Sequence, residues 1–213
     1  MAPSDHDRVI AAAAKTALAP LGLTRKGRSR TWLDDQGWWL GIVEFQPSSW
    51  ARGTYLNVGL MFLWRPIDHL AFEIGYRVEG FSDASGSEFA GEADAKAGRA
   101  GREVADLRAR FSSLEDVVRH FRGARRLGMY HQAHLATALG LGGDLSGCQQ
   151  AFDRALSMRN DAPGNQREAT RYILSAREAA SDAQSFHGWV QVATTGTRRT
   201  LGLAETNVTL PRA

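Results

Sequence analysis

Six polar residues lie in stretches that are otherwise strongly apolar: Arg30, Glu44, Gln46, Asn57, Glu73 and Arg77. If those stretches are strands, alternate residues share a face, and the six gather on one side of a sheet. Polar groups on a covered face must be paired, because leaving one without a partner costs about 1–3 kcal/mol. Two arrangements satisfy that demand. The six form a structural network under a covering layer, or they line a ligand cleft in which Glu44 and Arg77 are the groups available for ionic or acid–base work.

Other side chains suggest other chemistry. Arg119, Arg122, Arg125 and Arg126 are the densest basic cluster, suited to an anion or to the solvated side of a helix. Arg25, Lys26, Arg28 and Arg30 give a basic first strand that could hold phosphate, or could discourage pairing at a sheet edge. His131 and His134 are three apart, with His120 nearby, a spacing at which two imidazoles share a helix face. No carboxylate or cysteine completes a ligand set there, so the sequence names no metal, and it names no cofactor. Cys148 falls at a packing position and reads as inert. GxSxG, SxxK and HExxH are absent, and Gly140-x-Gly142-Gly143 follows a helix, which makes it a turn rather than a dinucleotide fingerprint. No catalytic residue is assigned.

These residues need elements to position them. Arg28–Trp64 holds five of the six tryptophans and divides into strands at two turns. Asp34-Asp35-Gln36-Gly37 tolerates left-handed backbone, and Pro47-Ser48-Ser49 with Gly53 makes a longer loop. Thr24–Asp34 forms the first strand. In the next two, Trp39, Val43, Phe45, Leu56, Val58, Leu60, Phe62 and Trp64 make an apolar face. Glu44, Gln46 and Asn57 interrupt the other. His69–Gly80 reads as a fourth strand, with Glu73, Arg77 and Glu79 on one side. The aromatic density reads as core, or as a stacking platform for bases or sugars.

Before the strands, Ser4 and Asp7 resemble a capping box. Val9, Ile10, Ala13, Ala17 and Leu18 follow helical spacing until Pro20 and Gly22. Residues 82–101 are rich in Gly, Ala and Ser and read as a flexible linker. From Arg102 the period becomes helical: Val104, Leu107 and Phe111, then a capping box at Ser112 and Glu115 followed by Leu114, Val117, Val118 and Phe121. Residues 164–181 supply a further helix, with Ala169, Tyr172, Ile173 and Ala176 inward. Residues 184–203 read as a helix, with a strand possible around Val190–Thr194. The tail from Glu205 reads as frayed.

Composition bounds the class. The chain has 213 residues, enough for one large or two small domains, and its formal charge is +3. Its pI of 9.3 is weak support for nucleic acid. One cysteine excludes an internal disulfide framework and suits a reducing cytoplasm. Arginine and alanine use suggests a GC-rich bacterial genome. No apolar run is long enough to span a bilayer, and no membrane partner is expected.

Two resemblances add to this. Lys26-Gly27-Arg28, Trp32, Phe45-Gln46 and Asn57-Val58-Gly59-Leu60 are similar to the bacterial domain-of-unknown-function family catalogued as 4304, over roughly residues 6–80. That likeness implies a small α+β domain with an N-terminal helix and an antiparallel sheet, and it carries no activity. Met129–Ala162 resembles a tetratricopeptide-type helical hairpin. Ala133, Leu135, Ala136 and Leu139 lie in its first helix and Gly142-Gly143-Asp144 in its turn. Cys148, Phe152 and Ala155 lie in the second helix, with Asn160 where that family has proline.

The expectation is therefore an α+β protein. A helix and a four-stranded antiparallel sheet occupy residues 1–81, a linker 82–101, a helical module 102–204 and a tail 205–213. Its expected function is a non-catalytic interaction with a protein partner. The alternatives are nucleic-acid binding through the arginine clusters, and an enzyme site on the polar sheet face.

Overall fold

A computed structural model describes residues 5–158, 166–205 and 209–211. The chain is α+β and folds as two compact units. One contains the residues up to Met61 together with Leu70–Ala109; the other contains Phe62–His69 and the chain from Arg110 onward.

The first unit opens with helix α1, Asp5–Leu18, which buries Ile10, Ala13, Ala14 and Leu18. Ser4 of the expected capping box lies outside the described residues. Pro20 sits in a 3₁₀ turn at Ala19–Leu21, and Gly22 follows at φ +87°, a left-handed conformation that ends the helix. Five strands come next: β1 Thr24–Arg25, β2 Thr31–Asp35, β3 Trp39–Pro47, β4 Gly53–Phe62 and β5 Ile74–Asp83. They form one sheet in the order β1-β2-β3-β4-β5. The pairings resolved residue by residue, β1–β2, β2–β3 and β4–β5, are antiparallel.

Four strands were expected, and the described residues hold five. Gly27 at φ +55° turns the chain between Arg25 and Thr31, and Arg25 clamps that turn by donating to the carbonyls of Ser29 (2.7 Å) and Arg28 (3.0 Å).

Residues 82–101 are not a linker. Helix α2 runs Phe89–Arg110 and buries Phe89, Ala93, Lys96, Ala97, Ala100, Glu103, Val104 and Leu107. Its buried stripe is built largely from alanine, the residue with the highest helix propensity. Lys96 Nζ donates to Gly80 O at 2.7 Å on β5. Arg108 reaches Asp34 on β2 and Leu21 O, at 2.6–2.9 Å. The helix therefore crosses one face of the sheet from β5 to β2. Gly41 lies opposite Asp34 in the β2–β3 register, where a Cβ would come within 2.9 Å of Asp34 Cβ.

The second unit holds α3 Leu114–Gly123, α4 Met129–Leu141, α5 Leu145–Ser157, α6 Gln166–Ala179 and α7 Ala183–Thr200. Residues 184–200 thus resolve as helix, not strand. The α4–α5 hairpin turns at Gly143, φ +87°. It buries Ala133, Ala136, Cys148, Phe152 and Ala155 as the spacing predicts; Asn160 lies outside the described residues. Gly140 must lack a side chain, because a Cβ would meet the Phe186 ring at 2.3 Å and Cys148 Sγ at 2.9 Å. In the tail Arg198 Nη2 holds Ala204 O at 2.9 Å and Leu210 is buried, so the expected fraying from Glu205 is not general.

The cap of α3 is one residue later than expected. Ser113 Oγ accepts from Asp116 N at 3.2 Å, and Asp116 Oδ2 accepts from Ser113 N at 3.1 Å and from Ser112 Oγ at 2.8 Å. The hydroxyls of Ser112 and Ser113, and then Arg119, hold the Asp116 carboxyl down to about 2. The folded-state value is depressed, so this stabilisation is present above the ordinary carboxylate range and is lost as pH falls towards about 2. Ser113→Ala is expected to cost about 1 kcal/mol in urea unfolding at neutral pH, with a smaller difference near the folded-state value; equal stability of variant and parent at neutral pH contradicts the cap.

Candidate functional site

Four of the six predicted residues come together. Glu44 and Gln46 lie on β3, Asn57 on β4 and Arg77 on β5. Asn57 Nδ2 donates to Glu44 Oε2 at 2.9 Å and to Gln46 Oε1 at 3.0 Å. Arg77 Nη2 donates to Gln46 Oε1 at 2.6 Å, Arg77 Nε reaches Asn57 Oδ1 at 3.4 Å, and the guanidinium lies 4.0 Å over the Tyr55 ring. Glu44, Gln46 and Asn57 are half-buried and Arg77 is exposed. The network meets its own hydrogen-bond demand, so geometrically it is first a structural tie across three strands. Its exposed end is what a ligand could reach.

Arg30 does not belong to this face. Its guanidinium donates to Asp7 Oδ1 on α1, at 2.7 Å from Nε with a second contact from Nη2, and to Gly53 O at 3.4 Å. Thr31 pairs with Glu44 in the register, so Arg30, one residue earlier, points to the opposite side. Glu73 precedes β5, and its N–H donates to Leu60 O at 3.0 Å. It lies four positions before Arg77, about 13 Å along extended chain. Glu79 is also displaced: Asn57 pairs with Arg77 but Leu56 pairs with Glu79. This bulge makes Val78 the extra residue and sends Glu79 to the α2 face, where it lies 3.5 Å from Lys96 Nζ.

Beside Arg77 the face continues as a row of aromatic rings. Tyr55 and Phe81 have centroids 5.3 Å apart, and Trp50 stacks on Phe81 at 5.3 Å and 29°. Trp50 is 74 % exposed. Phe81 covers Gly53, where a Cβ would lie 2.5 Å from Phe81 Cζ. The other four tryptophans of Arg28–Trp64 are buried, so the aromatic stretch is mainly core with one exposed ring.

In the helical unit the four arginines are spread from α3 into the α3–α4 loop. Arg119 pairs with Asp116 at 2.6 Å. Arg122, Arg125 and Arg126 are exposed. The histidines do not converge on a metal: among the described residues no group of three or more potential ligands comes together. His134 is fully buried, and its Nδ1 accepts from Trp64 Nε1 at 3.0 Å, which places the ring proton on Nε2. His131 stacks on Phe121 at 5.6 Å and His120 lies edge-on to it at 5.1 Å. Burial, with the charges of Arg110 and His131, pushes His120 below the usual imidazole range. Burial, then the Asp144 charge, raises the Cys148 thiol to about 12, so it is no nucleophile at neutral pH.

The sequence did not disclose a groove of about 750 Å³ in the helical unit, between the Pro66–His69 segment and helices α6 and α7. Tyr172, Trp189, Val192 and Ala193 form its apolar lining, with Asp68, Glu168 and Arg171 among its polar residues. Thr197 Oγ1 lies 3.1 Å from Arg65 O, fixing that segment along α7, and Trp189 Nε1 donates to Ser175 Oγ at 2.9 Å. Val192 is 74 % exposed although apolar.

Comparisons with family models, with curated proteins and with solved structures found no match to this chain. Among the described residues, no helix is long and apolar enough to cross a membrane.

Proposed function

We propose that this chain is a non-catalytic protein-interaction module of the bacterial cytoplasm, and that its partner docks in the α6–α7 groove of the helical unit. The observation that carries this is the exposed Val192 beside half-buried Trp189 in a groove of about 750 Å³. Apolar surface of this kind, rimmed by charge, marks recognition sites, and buried Trp and Tyr supply most of the energy at protein contacts. Small residues one turn apart, Ala193 and Gly196, floor the furrow. Such a shape suits an amphipathic helix laid apolar side down.

Val192→Asp tests this. An exposed substitution changes stability by about 0.5 kcal/mol or less, so the variant folds. The immobilised parent should retain a defined partner from cell lysate, and Val192→Asp should lower its retention at least about tenfold. Equal retention by the variant, or no protein retained above bare resin, refutes the proposal.

A further inference from the structure

We infer that the first unit carries a separate site for single-stranded nucleic acid, built on the exposed face of Trp50 and the row of rings behind it. The inference is independent of the groove proposal, because it uses other residues in another unit. Four planar groups lie in sequence: Trp50 on Phe81 at 5.3 Å, Phe81 by Tyr55 at 5.3 Å, and the Arg77 guanidinium 4.0 Å over Tyr55. A tryptophan that is 74 % exposed while stacked on a second ring is held in place with its outer face in water. An unpaired base finds there a rigid apolar plane, and stacking accepts any base because every base has a π-face.

Charge separates nucleic acid from sugar as the ligand. Arg77 and Arg52, two residues after Trp50, are both exposed, and neither has a carboxylate within ion-pair distance among the described residues. The acids nearby are engaged. Glu44 accepts from Asn57 at 2.9 Å, and Asp83 Oδ1 accepts from Ser85 N and Oγ, both at 2.9 Å. The Arg77 guanidinium bonds to the neutral amides of Gln46 and Asn57 and lies over Tyr55, so its charge has no carboxylate to answer it. A cation beside stacked rings is what a phosphate backbone with splayed bases requires. A neutral sugar would leave those cations unanswered. The sheet face that presents these groups is the one opposite α2, and β5 at its margin is an edge strand.

The test uses the full chain and fluorescently labelled oligothymidylate and oligouridylate of about ten nucleotides. Binding is read by anisotropy at low salt, with quenching of tryptophan emission as a second readout. Trp50→Ala should weaken binding about tenfold or more and remove most of the quenching. Trp50→Phe, which keeps a ring, should retain most of the affinity. Arg52→Ala should reduce the slope of log affinity against log salt by about one. No binding at low salt overturns the inference. So does binding that Trp50→Ala leaves unchanged but that substitution of Arg119, Arg122, Arg125 and Arg126 by alanine abolishes. Trp50-dependent retention of a neutral polysaccharide in place of the oligonucleotides overturns it as well.

Discussion

Arg108→Met lowers the unfolding free energy of the sheet unit by about 1–3 kcal/mol, less than for a fully buried pair because the Arg108 side chain is 35 % exposed. The loss is read as a urea midpoint shifted downward at unchanged slope. The Asp34 side chain is only 3 % exposed. It accepts from Arg108 Nε at 2.9 Å, from Arg108 Nη2 at 2.6 Å and from Gln36 Nε2 at 2.9 Å. The bond to Asp34 raises the Arg108 guanidinium further above its ordinary value, against the opposing effect of burial. Methionine keeps the aliphatic stem but leaves a buried carboxylate with no cation, and it removes the donor to Leu21 O at 2.8 Å. Breaking a buried pair on one side is costly because the remaining charge is stranded. Adding Asp34→Asn to Arg108→Met should therefore recover part of the loss. A single-variant effect below about 1 kcal/mol would show that this pair behaves as an exposed one.

Trp64→Ala is expected to destabilise the helical unit by about 3–5 kcal/mol. The ring is fully buried and stacked on Phe62 at 4.7 Å and 4°, so alanine opens a cavity lined by aromatic groups. A chemical term adds to the steric one. Trp64 Nε1 is the donor to His134 Nδ1 at 3.0 Å. Trp64→Phe preserves much of the volume and isolates that term, with an expected loss of about 1–3 kcal/mol. Thermal unfolding followed by near-ultraviolet dichroism measures both. A Trp64→Phe variant as stable as the parent would mean that the indole N–H contributes nothing.

The sequence disclosed the parts of this fold whose spacing is dictated by burial. The alternation in Trp39–Phe45 and Leu56–Phe62 gave the strands and their faces, and the Ala133–Ala155 pattern gave the α4–α5 hairpin. It failed where a rule rests on composition alone. The alanine- and glycine-rich residues 82–101 lack bulky apolar markers, yet the stripe of Ala93, Ala97 and Ala100 is buried in α2, and Lys96 on the same helix reaches Gly80 O of β5 at 2.7 Å.

Of the candidate site, Glu44, Gln46, Asn57 and Arg77 were legible because three strands keep a regular register between them. Arg30 and Glu73 were misplaced for local reasons: a turn at Gly27 resets the alternation before β2, and Glu73 lies before β5 begins. Glu79 was misplaced because the pleat count cannot reveal a bulge. Trp50 sits among Ser48, Ser49, Ala51 and Arg52, outside any strand, and that neighbourhood was a sign of its exposure. The α6–α7 groove had no linear signature, since its walls come from two helices and a segment about a hundred residues earlier.

Because Phe62–His69 belongs to the helical unit while Leu70–Ala109 belongs to the sheet unit, neither unit is a contiguous piece of polypeptide. A fragment ending at residue 81 or 101 would carry Trp64 without His134, its partner seventy positions downstream. On the ribosome, that early segment emerges long before α4 and α7, which hold its Trp64 and Arg65, and its stacked rings must wait in water or in the grip of a chaperone until those helices have been made.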